Sequence, residues 1–551
     1  MSLPEGTADG MLERFLDRVA ARGRTAARFR WSCLAALALV CAVAARIGAV
    51  PTFRYGHDDF LFLENGWRVL HGLRPQLDFW SPWGQVPFLL AALGLRLAHG
   101  APDALGVANA IAALSIAVWV YGIGRRRLEA VPGSLAAVYT ALLACTPCPL
   151  GDLPWVSSHA MFYNRLGFAL LVPVMVECFA PPASGGPRGR EEWWGGFSTG
   201  AAAALALFLK ASFSLVAVGL FIVSLFSLRG RRRIIGFAAG SGAVSLAVLS
   251  YLRFDAAGVW RALRMAAGAR AQSLPFRALL EKVPENDVTL AILLAVGLAA
   301  LGLKPRNEER FGRFQVLLLA IIVFAAGIAL LATNQQDGGL PLSAVFALIV
   351  ASRLAAAHQP PEFGPAGAKS YRNGAALLGC ALLFVPPCAV DAWGLTAAAV
   401  HKIHPPPSCL GFAEPRLAGL LLCDRPEELQ PRCNGLAYTT YVNDGARLLR
   451  SHCRPTDRVM TMDMQNPFPY ALGWPPPRGG TASNSFGVTM SDRYRPAADE
   501  FFGDATVVMV PKHPAELQER IDGLNRCYLP EVQRRFHLAA ESAWWWLYRR
   551  P

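Results

Sequence analysis

The sequence predicts a polytopic α-helical membrane protein, with about 11 transmembrane helices and a small C-terminal α/β domain outside the membrane. Of its 551 residues, 53% are hydrophobic and only 17% are charged, whereas an ordinary soluble domain has about 25% charged residues. Apolar runs recur along the chain, and a run of about 18 or more such residues can cross a bilayer as a helix. The 30 Phe, 14 Trp and 12 Tyr exclude a disordered chain.

The net charge of +14 is distributed in short basic clusters between the apolar runs, at 125–127, 229–233 and 304–313. This distribution is typical of the positive-inside pattern, which orients a membrane protein, and it disfavours a nucleic-acid partner. Residues 1–30 are therefore predicted to be a cytoplasmic N-terminus, amphipathic over 11–28, followed by a first span that is not cleaved.

Charged residues, Pro and Gly delimit the predicted spans at 31–50, 104–124, 132–148, 161–180, 197–209, 213–228, 234–252, 288–303, 314–332, 340–356 and 374–397. The run 197–228 is too long for one untilted crossing and short for two. Basic residues at both of its ends predict that it turns back at 210–212, which places Lys210 at the outer face. Eleven spans put the C-terminus outside.

Three regions follow from this assignment: the N-terminus 1–30, a membrane domain 31–397 whose first outer loop is 51–103, and an extracytoplasmic domain 398–551. In the last region, residue patterns predict strands at 457–464 and 505–512, and helices at 443–450, 514–526 and 530–542. The loop 466–484 between the strands is rich in Pro, Gly and Asn, which is typical of an ordered binding surface or a lid.

Cysteines divide between the two environments. Seven lie in the spans or at their ends, where Cys behaves as a small hydrophobic residue. The other five are Cys409, Cys423, Cys433, Cys453 and Cys527 of the tail. Up to two disulfides are expected there if the compartment is oxidising, and the spacing does not favour a zinc site.

The first outer loop contains the most informative motif. It begins with His57, Asp58, Asp59 and Phe60, continues with an amphipathic helix predicted at 61–70, and ends with HGLRPQLDFWSPWG at 71–84. Two adjacent carboxylates close to lipid are costly, and a cavity or an ion explains them more readily than topology does. A solvated acidic pair that caps the helix remains the alternative.

This arrangement resembles the first loop of the GT-C membrane glycosyltransferases, a superfamily that includes the protein O-mannosyltransferases and the bacterial lipid A aminoarabinose transferases. The matching residues are Asp58, Asp59, Gly72, Pro75, Asp78, Phe79, Ser81, Pro82 and Gly84. Many relatives have Asp-Glu where this chain has Asp58-Asp59. The resemblance implies an inverting transfer of a sugar from a polyprenyl-phosphate carrier to a hydroxyl of a lipid, polysaccharide or protein acceptor. It also implies a site on the extracytoplasmic side of the bacterial inner membrane.

The implied chemistry needs a general base for the acceptor hydroxyl and cations for the departing phosphate. Asp58 is the candidate base, with Asp59 as the second choice, and Lys210 and Arg165 are the candidate donor-phosphate ligands. The candidate substrate-binding residues are His57, Asp78, Tyr163, Asn164, Phe468, Tyr470 and Trp474. No cofactor is expected other than a possible divalent metal ion. Snorkelling of Lys210, an interfacial anchor role for Arg165 and a turn-capping role for Asp78 remain alternatives.

Two other classes of function compete with this reading. A transporter or flippase of a glycolipid would carry charged residues or broken helices near the middle of several spans, often with internal repeats. An O-antigen ligase or polymerase would place its main residues in a large loop late in the chain. A non-catalytic scaffold with a sensing tail is a further alternative.

Overall fold

The computed structural model describes residues 7–180, 189–226, 230–271, 280–301, 312–334, 336, 338–357, 367–424, 435–515 and 518–551. Within these ranges, a helix occupies each of the eleven predicted spans. These helices are α1 (Thr7–Ile47), α4 (Ala104–Arg127), α5 (Ala130–Cys145), α6 (Phe162–Phe179), α7 (Gly189–Leu207), α8 (Ala211–Ser224), α9 (Arg231–Tyr251), α11 (Asp287–Leu301), α12 (Gly312–Thr333), α13 (Pro341–Ala357) and α14 (Gly367–Ile403). The amphipathic segment predicted at 11–28 is continuous with the first span in α1.

Seven described segments are long and apolar enough to cross a membrane: Ala27–Ile47, Ala104–Arg127, Phe162–Phe179, Arg231–Tyr251, Pro284–Leu301, Gln315–Thr333 and Asn373–Ile403. Shorter apolar helices include α5, α8 and most of α13. Helix α7 begins with Arg190, Glu191 and Glu192 and becomes apolar only after its first turns. The chain is thus a multi-pass helical membrane protein.

Contacts between helices identify the two ends of the bundle. At one end of the bundle, the Arg127 guanidinium of α4 lies 2.8 Å from the Glu177 carboxylate of α6, and Arg233 of α9 donates to the Glu177 carbonyl at 2.9 Å. At the other end, the Ser212 hydroxyl of α8 donates to Asn334 after α12 at 3.0 Å. Arg127 and Arg233, which belong to two of the basic clusters, therefore lie at the end opposite the first loop and the tail. Which end faces the cytoplasm remains a prediction.

The first loop is more helical than predicted. Helix α2 (His57–Leu70) begins at His57 and not at residue 61, so the acidic pair lies in its first turn. A second helix, α3 (Val86–Leu97), was not predicted. A further helix, α10 (Ala256–Ala271), lies between α9 and α11 in the chain.

The tail is a small α/β domain, as predicted. Its helices are α15 (Gly435–His452), α16 (Phe468–Leu472), α17 (Ala498–Phe502) and α18 (Gln518–Arg535), and its strands are β1 (Cys409–Gly411), β2 (Leu421–Cys423), β3 (Val459–Thr461), β4 (Val507–Pro511), β5 (His537–Glu541) and β6 (Trp545–Arg549). A four-stranded sheet has the order β3-β4-β6-β5, in which β3 and β4 are parallel and the other pairs are antiparallel.

The helix predicted at 530–542 is wrong. Helix α18 continues through Pro530, with Tyr528 and Val532 buried, and the chain then enters β5. Strand β6 was missed, although Trp545 and Leu547 are both fully buried with the two-residue period of a strand. The three consecutive tryptophans at 544–546 obscured that alternation.

A short hairpin joins the last span to the domain. Strands β1 and β2 pair antiparallel, and a disulfide connects Cys409 to Cys423. Thr52 of the first loop exchanges backbone hydrogen bonds with Leu421 and Cys423, each of 2.9 Å. One of the expected disulfides is therefore present, while Cys433 lies outside the described residues.

The loop 466–484 docks the tail onto α2. The Tyr470 backbone N–H donates to the Glu64 carboxylate at 2.9 Å, and the Asn65 amide donates to the Ala482 carbonyl at 2.9 Å. The Trp67 indole donates to the Trp474 carbonyl, also at 2.9 Å. This loop is therefore an ordered docking segment between the two domains.

Candidate functional site

A cleft lies where the first loop, the start of α6 and the tail meet. It encloses about 590 Å³ of space not occupied by protein atoms, counting the part open to solvent. The first loop contributes Tyr55, His57, Asp58 and Trp83; the start of α6 contributes Met161 and Tyr163; and the tail contributes Met464, Ser483, Ser485, Val488, Thr489 and Arg520. Three of the candidate residues predicted from the sequence therefore line one cleft.

The two members of the acidic pair point in different directions, because consecutive residues of a helix are about 100° apart. Asp58 lines the cleft, and its side chain is 15% exposed. The His57 imidazole Nε2 lies 3.5 Å from Asp58 Oδ1. The geometry thus presents one carboxylate to the cleft, with an imidazole beside it that can orient it.

Asp59 points into the protein and is fully buried. Its Oδ2 accepts a 2.8 Å hydrogen bond from the Thr52 hydroxyl. Burial raises the pKa of Asp59 to about 8, although the Thr52 hydrogen bond acts in the opposite direction. Because burial favours the protonated form of Asp59 and its side chain is not among those lining the cleft, the geometry favours Asp58 over Asp59 as the general base.

Three of the candidate residues, Lys210, Tyr163 and Asn164, lie together. The Lys210 ammonium donates to Asn164 Oδ1 at 3.2 Å and lies 4.8 Å from the centroid of the Tyr163 ring. Tyr163 also lines the cleft, and its ring centroid is 5.5 Å from that of Trp83. Lys210 occupies the residue position immediately before α8, in the predicted turn. A cation is therefore held behind one wall of the cleft.

Arg165 does not reach the cleft. Its guanidinium donates to Asp391 Oδ1 of α14 at 2.8 Å and to the Leu143 carbonyl at 3.1 Å, and the side chain is only 4% exposed. A buried guanidinium with these partners joins three helices. This position does not support a contact of Arg165 with the donor phosphate, and that role stays a prediction.

Asp78 caps a turn, which was the alternative reading of this residue. Its Oδ2 accepts from the Arg74 backbone N–H at 2.8 Å, and its Oδ1 lies 3.4 Å from Arg478 of the docking loop. Asp78 is not among the residues that line the cleft. The structure therefore gives Asp78 a role in connecting the first loop to the tail and not in binding substrate.

The aromatic residues of the docking loop are also not available for stacking. Phe468 and Tyr470 are fully buried and Trp474 is 4% exposed. Phe468 packs edge-on against Trp545, and the Tyr470 hydroxyl donates to the Gly100 carbonyl at 2.9 Å. Their predicted sugar-binding role is contradicted by this packing. The aromatic rings that line the cleft come from the first loop and α6.

The residues that the tail contributes to the cleft were not predicted from the sequence. Arg520 and the hydroxyl residues Ser483, Ser485 and Thr489 carry no local signal, because they are separated from the acidic pair by more than 400 positions in the chain. Met161 also lines the cleft, and its φ of 54° places it in the left-handed region immediately before α6. Only a bend in the backbone, which the sequence does not show, brings it there.

The acidic pair does not form a metal site by itself. Over the described ranges, no group of three or more His, Cys, Asp and Glu side chains could hold a metal ion. Asp58 and His57 provide two donors, while Asp59 is turned away towards Thr52. The donor set therefore does not fit a divalent cation, and the chemistry below uses none.

Comparisons with known proteins find similarity to solved structures. No protein-family model matches the chain, and no curated protein matches it. The crystal structure of ArnT from Cupriavidus metallidurans in the apo state is similar to this chain with 13% sequence identity and a TM-score of 0.37. That alignment covers 96% of this chain and 98% of the other.

Proposed function

We propose that the protein transfers a sugar from a polyprenyl-phosphate carrier to an acceptor hydroxyl, with Asp58 as general base. The observation that carries the proposal is the shared position of Tyr163. Tyr163 lines the cleft together with Asp58, and the Lys210 ammonium lies over its ring. A base and a cation that both lie near one aromatic residue suit a reaction that removes a proton and releases an anion.

The step balances without a cofactor. The acceptor oxygen attacks the anomeric carbon of the sugar and its proton passes to the Asp58 carboxylate. The bond between the anomeric carbon and the phosphate oxygen breaks, and its electron pair leaves with the polyprenyl phosphate. Attack from the face opposite the leaving group inverts the configuration. The Lys210 ammonium stabilises the negative charge that develops on the phosphate.

His57 has a positioning role in this proposal. Its Nε2 lies 3.5 Å from Asp58 Oδ1, and its ring packs edge-on against Tyr55 with a centroid separation of 5.9 Å. His57 thus orients Asp58 from one side of the cleft.

The disulfide supports an extracytoplasmic site. Disulfides persist in oxidising compartments and are rare in the cytosol. The Cys409–Cys423 bridge lies in the hairpin that contacts Thr52, five residues before α2 begins at His57. Arg127 and Arg233 lie at the opposite end of the bundle, in agreement with the positive-inside pattern. The donor's sugar is therefore expected to be presented on the outer side of the membrane.

The test combines envelope chemistry with an isosteric variant. Mass spectrometry of glycolipids and polysaccharides from cells with and without the gene should reveal one sugar that is lost in its absence. Asp58→Asn should fail to restore that sugar, because a positioned general base contributes about 100-fold to 10,000-fold in rate. The control is Asp499→Asn, since the Asp499 side chain is 87% exposed on the tail.

The outcomes separate a catalytic from a structural carboxylate. The Asp58→Asn protein should accumulate, insert and unfold at the same temperature as the Asp499→Asn control. If the Asp58→Asn variant fully restores the sugar, Asp58 is not the general base and the proposal is contradicted.

A further inference from the structure

The tail places a cation in the cleft. Arg520 of α18 lies on the tail side, while Asp58 and His57 lie on the side of the first loop. Among the cleft-lining residues that the structure describes, Arg520 is the one whose side chain is permanently cationic. The hydroxyl groups of Ser485 and Thr489 line the cleft beside it.

Packing along one face of α18 fixes the position of this arginine. The Arg520 guanidinium donates to the Ser485 hydroxyl oxygen. Three residues later, Gly523 lies so close to Phe486 that a Cβ atom there would be 2.3 Å from its ring. After three more residues, the Arg526 guanidinium lies 5.3 Å from the centroid of the same ring. Helix residues three positions apart are neighbours, so these contacts fix the position of α18 against the segment that contains Ser485.

The segment itself is a tight turn. The Gly487 backbone N–H donates to the Met490 carbonyl at 2.7 Å, and Gly487 has a φ of +80°, which favours glycine. The Thr489 hydroxyl donates to the Ser483 carbonyl at 2.9 Å. The Ser485 hydroxyl accepts from Arg520 and therefore keeps its own proton to donate. A guanidinium beside a hydroxyl donor matches the oxygens of a phosphate or a carboxylate.

We propose that Arg520 and Ser485 form a subsite for an oxyanion of the acceptor, a phosphate or carboxylate group, and so hold the acceptor hydroxyl against Asp58. This inference rests on the proposed function and names the chemical class of the acceptor. An oxyanion in the cleft has two possible sources, the acceptor and the donor phosphate. The donor is anchored in the bilayer, and Lys210 lies in the turn between two membrane helices, whereas Arg520 belongs to the tail domain. This separation assigns Arg520 to the acceptor.

Binding measurements on the full-length protein in nanodiscs distinguish the two sources. Inorganic phosphate is the probe for the subsite, and polyprenyl monophosphate without a sugar is the probe for the donor site. Phosphate is titrated at constant ionic strength, with and without saturating polyprenyl phosphate, so that general screening is equal in all samples. The variants are Arg520→Gln and the control Arg534→Gln, which changes an exposed arginine near the other end of the same helix.

We expect inorganic phosphate to bind the wild type even when polyprenyl phosphate saturates the donor site. Arg520→Gln should weaken this binding about tenfold or more, which is the typical effect of losing a charge-assisted hydrogen bond. It should leave the affinity for polyprenyl phosphate unchanged, and Arg534→Gln should leave both affinities unchanged.

Two results would overturn the inference. If Arg520→Gln weakens polyprenyl phosphate instead, the arginine belongs to the donor site. If it weakens neither probe, there is no oxyanion subsite. Failure of the proposed function is a separate result, because a wild type that does not bind polyprenyl phosphate at all contradicts the donor assignment, while phosphate binding at Arg520 is still measured directly.

Discussion

The Thr52 hydroxyl donates a 2.8 Å hydrogen bond to Asp59 Oδ2, and this contact separates the two carboxyl groups of the acidic pair. Thr52 is itself held by backbone hydrogen bonds to the disulfide-closed hairpin. The first turn of α2 is thereby fixed with Asp59 in the interior and Asp58 in the cleft. Two adjacent, chemically identical residues consequently have different roles.

The buried Asp59 predicts a specific pH dependence of stability. Its pKa is raised to about 8 in the folded protein, against about 3.9 in an unfolded chain. Between these values the unfolded state binds fewer protons than the folded state, so the stabilising contribution is full below about pH 4 and is lost as the pH rises to about 8. Burial also raises the pKa of Glu64 to about 8, with the same sign.

Asp59→Asn imitates the protonated carboxyl group and removes one of these two contributions. As the pH rises from 5 to 8, the unfolding temperature of the variant should decrease less than that of the wild type. The two decreases should differ by about 2 °C or more at pH 8. The measurement is thermal unfolding of the purified protein at a series of pH values, with Asp499→Asn as control. Identical slopes for all three proteins would mean that Asp59 is ionised when folded.

The hairpin disulfide is expected to stabilise the outer end of the protein. Cys409 and Cys423 are 14 residues apart, and closing a loop of about 15 residues stabilises a protein by about 3 kcal/mol. Cys409→Ser/Cys423→Ser should therefore lower the unfolding temperature, and a reducing agent should lower that of the wild type but not that of the double variant. Cys453→Ser, a thiol outside this bridge, is the control. Equal sensitivity of the double variant to reductant would refute the assignment.

Membrane orientation can be tested with reporter fusions. Arg127 and Arg233 lie at the end of the bundle opposite Asp58 and the tail. Fusions after Arg127 and Arg233 should report the cytoplasm, and a fusion after Pro551 should report the outer side, because basic residues are retained in the cytoplasm. A cytoplasmic Pro551 would contradict the proposed membrane orientation and would place the disulfide in a reducing compartment.

The predictions made from the sequence succeeded where the signal was local. Apolar runs gave the helices, and basic clusters at both ends of 197–228 gave the turn at Lys210. Arg165 could not be assigned, because its partner Asp391 is 226 positions away. The difference between Asp58 and Asp59 depends on Thr52 and on a hairpin more than 350 residues later in the chain. Arg520 reaches the cleft only through the packing of α18. Local patterns therefore determine the elements, while contacts distant in sequence determine the site.

Lys210 is the sharpest test of the donor side. Its ammonium is oriented by Asn164 Oδ1 and by the Tyr163 ring, so it is ordered before any phosphate arrives. A cation that binds the carrier phosphate stabilises both the donor complex and the departing anion. Lys210→Ala should therefore raise KM for the donor and also lower kcat. A lost charge-assisted hydrogen bond of about 1.5–3 kcal/mol corresponds to roughly a 10-fold to 100-fold decrease in kcat/KM.

The matched control for Lys210→Ala is Lys402→Ala. Lys402 is a lysine at the same end of the bundle, and its ammonium contacts Asp103 at 3.1 Å outside the cleft. Lys210→Arg keeps the charge and should recover part of the activity, whereas a lysine that only snorkels to water would be replaced by alanine without effect on KM. Initial rates with varied donor and saturating acceptor decide between these roles. Equal KM values for Lys210→Ala and Lys402→Ala would mean that Lys210 only helps to orient the chain in the membrane. The proposal would then lack the cation that stabilises the departing phosphate.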